Sequence, residues 1–280
     1  MRSKGVTIFV ILSAIAGLLW ISGLGMTLYR NVFSPQPQVS DSSTGSSRVG
    51  ADKPTLGTGE SSAMPVTNDG IIVLGLGDSL TRGVGDPNGK GYMGYTVERL
   101  QEKTKQKVTA YNLSISGQRS EQLAAQIKQS EVQRQIKSAQ VILMTIGGND
   151  LNRSGQTQAS MNPAMIQALT KEYTGNLTGI LADLRKLNSE ATICLLGIYN
   201  PYSQQADGMA TSAVVRNWNA MTAETAAQFP KTVFVPIYDL FQLKADQFLS
   251  LDAFHPNAAG YQRMADRLVP LILESEAFHE

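Results

Sequence analysis

Residues 71–80 read IIVLGLGDSL, an apolar run that closes on Gly77 and passes directly into Asp78 and Ser79. Its aliphatic residues show no helical spacing, and the run is short and ends in glycine, which predicts a strand buried on both faces. Helical spacing around Gly94–Lys105 follows. The unit recurs, with Val108–Leu113 before a helix near Glu121–Lys137 and Val141–Ile146 before a long helix within Pro163–Leu187. Thr192–Ile198 and Thr232–Pro236 bracket a helical stretch over Ser212–Phe229, and a last helix is expected over Pro256–Leu273. Strands alternating with helices predict one α/β domain over residues 70–280, with a parallel sheet covered on both faces. Ligands of such sheets bind beyond the carboxyl ends of the strands, so the residues just after each apolar run are the ones to inspect.

Upstream the chain changes character. Val6 to Tyr29 is 24 residues without a charge, enough as a helix to cross a hydrocarbon core of about 30 Å. Arg2, Lys4 and the amino terminus precede it, and only Arg30 follows closely, so the positive-inside rule puts the N-terminus in the cytoplasm and the rest outside. The expectation is a single-pass membrane anchor over residues 1–30, with a secreted product if the segment is cleaved; Gly23-Leu24-Gly25 is a poor cleavage site. Residues 31–69 are dominated by Ser, Thr, Gly and Pro and read as a flexible linker.

Composition narrows the function. With 42% hydrophobic and 17% charged residues, most of the chain can bury a core. A net charge of +1 without a local basic cluster argues against nucleic-acid binding. Cys194 is the only cysteine, which excludes an intramolecular disulfide and a Cys-rich zinc site. Gly89-Lys90-Gly91 lacks the Ser or Thr that follows the lysine of a phosphate loop. Gly75-Leu76-Gly77 has Leu80 where a dinucleotide fingerprint needs its third glycine. No cofactor and no metal are expected.

The strand ends carry the chemistry. Gly77-Asp78-Ser79-Leu80 follows the first strand, Ser114-Ile115-Ser116-Gly117 the second and Gly147-Gly148-Asn149-Asp150 the third, while Asp252-Ala253-Phe254-His255-Pro256 precedes the last helix. A serine hydroxyl needs a base within hydrogen-bond reach and a third group that fixes the base's tautomer. Ser79, His255 and Asp252 can fill those roles, because side chains three apart can lie side by side in a loop or first helical turn. The chain's other histidine, His279, is one residue from the C-terminus. Gly117 can offer a close backbone N–H and Asn149 an uncharged side-chain amide, which with the N–H of Ser79 would form an oxyanion pocket. Each residue also has an ordinary structural reading: Ser79 as a helix cap, Gly117 as a turn, Asn149 as an Asx turn. The co-occurrence of all five favours catalysis. Asp78 and Asp150 are expected to hold loops through backbone N–H groups.

GDSL around Ser79, NLSISG ending at Gly117, GGND containing Asn149 and DAFHP containing Asp252 and His255 resemble the four ordered blocks of the SGNH, or GDSL, hydrolase family. The resemblance covers Ile71 to about Leu273. It implies a three-layer α/β/α, flavodoxin-like fold and a serine esterase, lipase, thioesterase or carbohydrate-esterase activity. It also implies Ser79 as nucleophile, Asp252 and His255 as its partners, and Ser79, Gly117 and Asn149 as oxyanion donors. The anchored outline resembles surface acylhydrolases of Gram-positive bacteria. The expected function is a serine-dependent acyl ester hydrolase at the extracytoplasmic face. The alternatives are an O-acyltransferase or carbohydrate deacetylase on cell-wall glycans, and a non-catalytic glycan- or lipid-binding module. Substrate choice is expected to lie in the loops Gly83–Tyr95, Asn152–Ala164 and Tyr199–Met209.

Overall fold

The structure, a computed structural model, describes residues 70–153, 162–275 and 277. The expected anchor and linker lie outside them. Among the described residues no helix is long and apolar enough to cross a membrane.

Five strands, β1 Ile71–Gly77, β2 Val108–Asn112, β3 Val141–Thr145, β4 Thr192–Leu196 and β5 Thr232–Val235, form one sheet in the order β2-β1-β3-β4-β5. Every neighbouring pair is parallel. This is the strand order of flavodoxin-like folds. The helices are α1 Ser79–Arg82, α2 Gly91–Thr104, α3 Ser120–Ile127, α4 Ser130–Ser138, α5 Gly148–Asn152 and α6 Pro163–Leu187. They continue with α7 Gly208–Ala226, α8 Tyr238–Gln242, α9 Ala245–Phe248 and α10 Ala258–Leu273.

Strand side chains alternate between two cores, as a period of two requires. Leu74, Ile142, Met144, Ile193 and Leu195 face a core shared with α3, α4, α6 and α7. Val73, Val141, Leu143, Cys194 and Val235 face one shared with α2, α8 and α10. The sheet is thus the middle of three layers. Burial pushes the Cys194 thiol up to about 12, which makes it the inert apolar filler its sequence context suggests.

Several boundaries differ from expectation, and two have a clear physical cause. The helix expected over Glu121–Lys137 is broken at Gln129, whose backbone is extended at φ −72° and ψ 133°. The apolar spacing gives the reason. Leu123 and Ile127 are four apart, as are Val132 and Ile136, but Ile127 and Val132 are five apart. One continuous helix would turn the second pair about 180° away from the first. The break returns both pairs to the core. The last helix starts at Ala258 rather than Pro256, because Asn257 caps it by accepting from the Gly260 N–H at 3.0 Å.

The chain runs from β1 outward to β2 and then back to β3 on the other side. That reversal opens a crevice beyond β1 and β3, where Ser79 and Asn149 stand.

Candidate active site

Ser79 is delivered by a sharp exit from β1. Gly77 has φ +105°, and a Cβ there would lie 1.8 Å from the Thr145 carbonyl oxygen. Only glycine allows this turn so close to β3. Asp78 then caps α1: one carboxylate oxygen accepts from the Leu80 N–H at 3.0 Å and from the Thr145 hydroxyl at 2.7 Å. Thr81 and Thr145 hydroxyls lie 2.7 Å apart, and Thr81 and Tyr92 hydroxyls 2.6 Å apart. Because Thr145 gives its single proton to Asp78, Thr81 must donate to Thr145 and Tyr92 to Thr81. The result is a directed, buried chain of hydroxyls ending on Asp78. Burial pushes the Asp78 carboxyl up to about 6, against the downward pull of the hydrogen bonds from Thr145 and Leu80.

The three residues expected to act together do meet. Ser79 Oγ lies 2.9 Å from His255 Nε2, and His255 Nδ1 lies 2.6 Å from Asp252 Oδ2. Asp252 and His255 sit in a loop ahead of α10, not in a helical turn. The other carboxylate oxygen, Asp252 Oδ1, accepts from Ser250 Oγ at 2.7 Å and from the N–H groups of Phe254 and His255 at 2.9 and 2.8 Å. Partial burial pushes the Asp252 carboxyl upward. The hydrogen bonds from His255, Ser250 and the loop backbone outweigh it and hold the group below the usual carboxylate range. An ionised Asp252 fixes the proton of His255 on Nδ1 and leaves Nε2 free to accept from Ser79.

The donors gather on the other side of Ser79. Gly117 has φ +77° with nothing within 4 Å of where a Cβ would stand, so the backbone conformation rather than lack of space calls for glycine. The N–H groups of Ser79 and Gly117 have no intramolecular partner among the described residues. Asn149 Nδ2 donates to the Gln118 carbonyl at 3.0 Å, which fixes the amide and leaves its second N–H available. Asp150 clamps the same two loops, its oxygens taking the Ser120 N–H at 3.1 and 3.0 Å and the Ser120 hydroxyl as well. Asp78 and Asp150 are therefore the loop holders that the sequence suggests.

A cleft opens from Ser79 and Asn149 toward β4. Its walls are mostly apolar, with Leu80, Leu151, Ile198, Val214, Val215 and Phe254 among them. Tyr199 to Tyr202 line it as expected, and so does Asn152. No residue of Gly83–Tyr95 does, which corrects the expectation for that loop. Asp86 folds it back on itself, accepting from the N–H groups of Asn88, Lys90 and Gly91. Residues 154–161, inside the loop Asn152–Ala164 expected to help set substrate choice, lie outside the described residues. Sequence reasoning missed Thr81 and Thr145, and it named Tyr92 and Tyr199 only within loops expected to set substrate choice. The available signal was the position of each: Thr145 ends β3, and Tyr199 follows β4 at the same edge of the sheet.

The sequence model of the GDSL-like lipase/acylhydrolase family matches residues 76–263. The protein YpmR of Bacillus subtilis (strain 168) is 34% identical over 213 residues, which span 74% of this chain and 83% of YpmR. The spore germination lipase LipC of Bacillus licheniformis is 26% identical over 204 residues, 69% of this chain and 92% of LipC. Two solved structures share the fold. The lipase Lip_vut3 from a goat rumen metagenome has a TM-score of 0.67 at 22% identity, covering 74% of this chain and 99% of its own. The acetylxylan esterase Axe2 of Geobacillus stearothermophilus has a TM-score of 0.57 at 20% identity, covering 74% and 96%. The chain belongs to the GDSL-like lipase/acylhydrolase family of ester-bond hydrolases.

Proposed function

We propose that the protein hydrolyses esters of aliphatic acyl groups through an acyl-serine intermediate on Ser79. The observation that carries this is the unbroken contact from Ser79 Oγ through His255 to Asp252 at 2.9 and 2.6 Å. His255 Nε2 takes the Ser79 proton as Oγ attacks the carbonyl carbon, and the carbonyl oxygen becomes an oxyanion facing the N–H groups of Ser79, Gly117 and Asn149. On collapse the alcohol departs with the proton from Nε2. A water then attacks the acyl-serine, giving its proton to Nε2 again, and the acid leaves as Ser79 recovers its hydrogen.

The apolar cleft beside Ser79 and Asn149 supports an acyl chain of several carbons over acetyl. Each methylene buried there is worth about 0.8 kcal/mol, roughly fourfold in kcat/KM. An acetyl group would leave most of the wall wet. The same reading carries the expectation of an exported, tethered domain, which rests on the uncharged run 6–29 and the cations ahead of it. Protease treatment of intact cells tests that part, since an extracytoplasmic domain is released and a cytoplasmic one is spared.

A serine-directed fluorophosphonate tests the chemistry. The native protein is expected to be labelled and Ser79→Ala is not; equal labelling of both overturns the assignment of the nucleophile. A series of p-nitrophenyl esters from acetyl to palmitoyl tests the cleft. A kcat/KM that rises from acetyl through the medium chains supports the acyl reading, and a maximum at acetyl rejects it.

A further inference from the structure

The loop carrying Asp252 and His255 is tied mainly to itself. Leu249 and Pro256 form an antiparallel bridge, Ser250 N–H donates to the His255 carbonyl at 2.8 Å, and Ala253 N–H donates to the Ser250 carbonyl at 2.9 Å. Asn257, just beyond it, bonds back to Gln247, Phe248 and Leu249. These bonds set the loop's shape. They do not set its position against Ser79.

Among the described residues, two hydrogen bonds reach from residues 250–256 to the rest of the domain. One is His255 Nε2 to Ser79 Oγ. The other is donated by the Tyr199 hydroxyl to the carbonyl of Phe254, the peptide immediately before His255. Tyr199 is well placed to hold something still. It stands three residues after β4, is buried, and stacks on Phe241 with ring centroids 4.1 Å apart. Packing adds a wall, because a Cβ on Gly85 would stand 2.8 Å from His255 Cβ.

The first of those two bonds cannot last through the reaction. Once Ser79 carries the acyl group its hydroxyl proton is gone, and His255 must turn to an incoming water. We propose that Tyr199 is a positioning residue that keeps His255 in register after Ser79 is acylated, so that it acts chiefly on deacylation. The proposal rests on the acyl-serine reading above. Tyr199 touches no reacting atom in this role; it acts through the Phe254 carbonyl on the backbone of the next residue. Its ring also lines the apolar cleft, so the wall of the cleft and the anchor of the base are one side chain.

Tyr199→Phe removes the hydroxyl and keeps the ring and its stacking. One lost hydrogen bond predicts a kcat about tenfold lower, with KM for the acyl ester falling in step because acyl-enzyme accumulates, and with kcat/KM and the melting temperature close to native. Rapid mixing with a p-nitrophenyl ester is expected to show a burst of nitrophenol larger than that of the native protein, because acyl-enzyme accumulates when its hydrolysis is slowed. In a His255→Ala background the same substitution is expected to cost nothing further. An unchanged kcat, a loss without a larger burst, or an equal loss in the His255→Ala background overturns the role of Tyr199 and leaves the acyl-serine reading intact. Native-level activity in His255→Ala alone overturns that reading and this proposal with it.

Discussion

The two halves of the site are built from opposite materials. The half that holds Ser79, Gly117 and Asn149 is a set of loops knitted to one another by buried groups, Asp78 with Thr145, Asp150 with Ser120, and Asn149 with the Gln118 carbonyl. The half that holds Asp252 and His255 is an outer loop, with the Asp252 side chain 45% exposed and that of His255 18% exposed. The division follows the chemistry. Donors for a developing charge gain from being fixed before the reaction. A base that must serve a serine and then a water needs a ring free to turn on a backbone that is held, as the Tyr199 hydroxyl holds the Phe254 carbonyl.

The largest effects test whether the knitted half is the reacting half. Ser79→Ala is expected to lower kcat by at least about 10,000-fold with the melting temperature unchanged, read from ester hydrolysis and a thermal scan. Asn149→Ala removes one oxyanion donor and is expected to cost about 100- to 1,000-fold in kcat with little change in KM. A loss in Asn149→Ala that falls mainly on KM would make the amide a ground-state contact and erase the contrast between the halves.

The same contrast explains what could be read before folding. The strands announce themselves as apolar runs, and Asp252 and His255 stand three apart in sequence, so their contact was legible from spacing. Ser79, Gly117 and Asn149 were legible as residues after strand ends. The buried supports were not. Thr81, Tyr92 and Thr145 lie far apart in the chain, and only the pairing of β1 with β3 joins them. Tyr199 reads as one more large residue after an apolar run. The break between α3 and α4 was recoverable, since the five-residue step from Ile127 to Val132 is written in the sequence.

Asp78 provides the next test, on stability. Its carboxyl is buried and raised from its ordinary 3.8 to about 6. Below 3.8 it is protonated folded and unfolded alike, and it takes nothing from the fold. As pH rises toward 6 the unfolded chain releases this proton more readily, so the native state loses stability across that window, by up to about 3 kcal/mol at about 1.4 kcal/mol per pH unit. Asp78→Asn keeps an oxygen for the Leu80 N–H and the Thr145 hydroxyl and carries no charge. Denaturant midpoints at a series of pH values are expected to show the native protein weakening between pH 4 and 6 relative to the variant. Parallel curves would mean that Asp78 is not desolvated in the native state.

The smallest expected effect comes from a matched pair of hydroxyls. Thr145 Oγ1 donates to Asp78 and Ser250 Oγ donates to Asp252, each at 2.7 Å. Distance alone predicts equal consequences for removing them, whereas the division between the halves predicts opposite ones. Thr145→Val takes a donor from a buried carboxyl and leaves the Thr81 hydroxyl without its acceptor, which is expected to cost about 1–3 kcal/mol of stability. Ser250→Ala lets water replace the lost donor on an exposed carboxylate, so its stability cost is expected to stay below about 0.5 kcal/mol. Its effect belongs to the base instead. Asp252 keeps the two backbone N–H donors and the His255 ring, so kcat is expected to fall only about two- to fivefold, the scale of one modest hydrogen bond. Measured together, a fold that weakens with Thr145→Val and a rate that slips with Ser250→Ala locate rigidity in one half and adjustment in the other. Equal losses of stability in the two variants would place the outer loop within the same cooperative unit as the sheet.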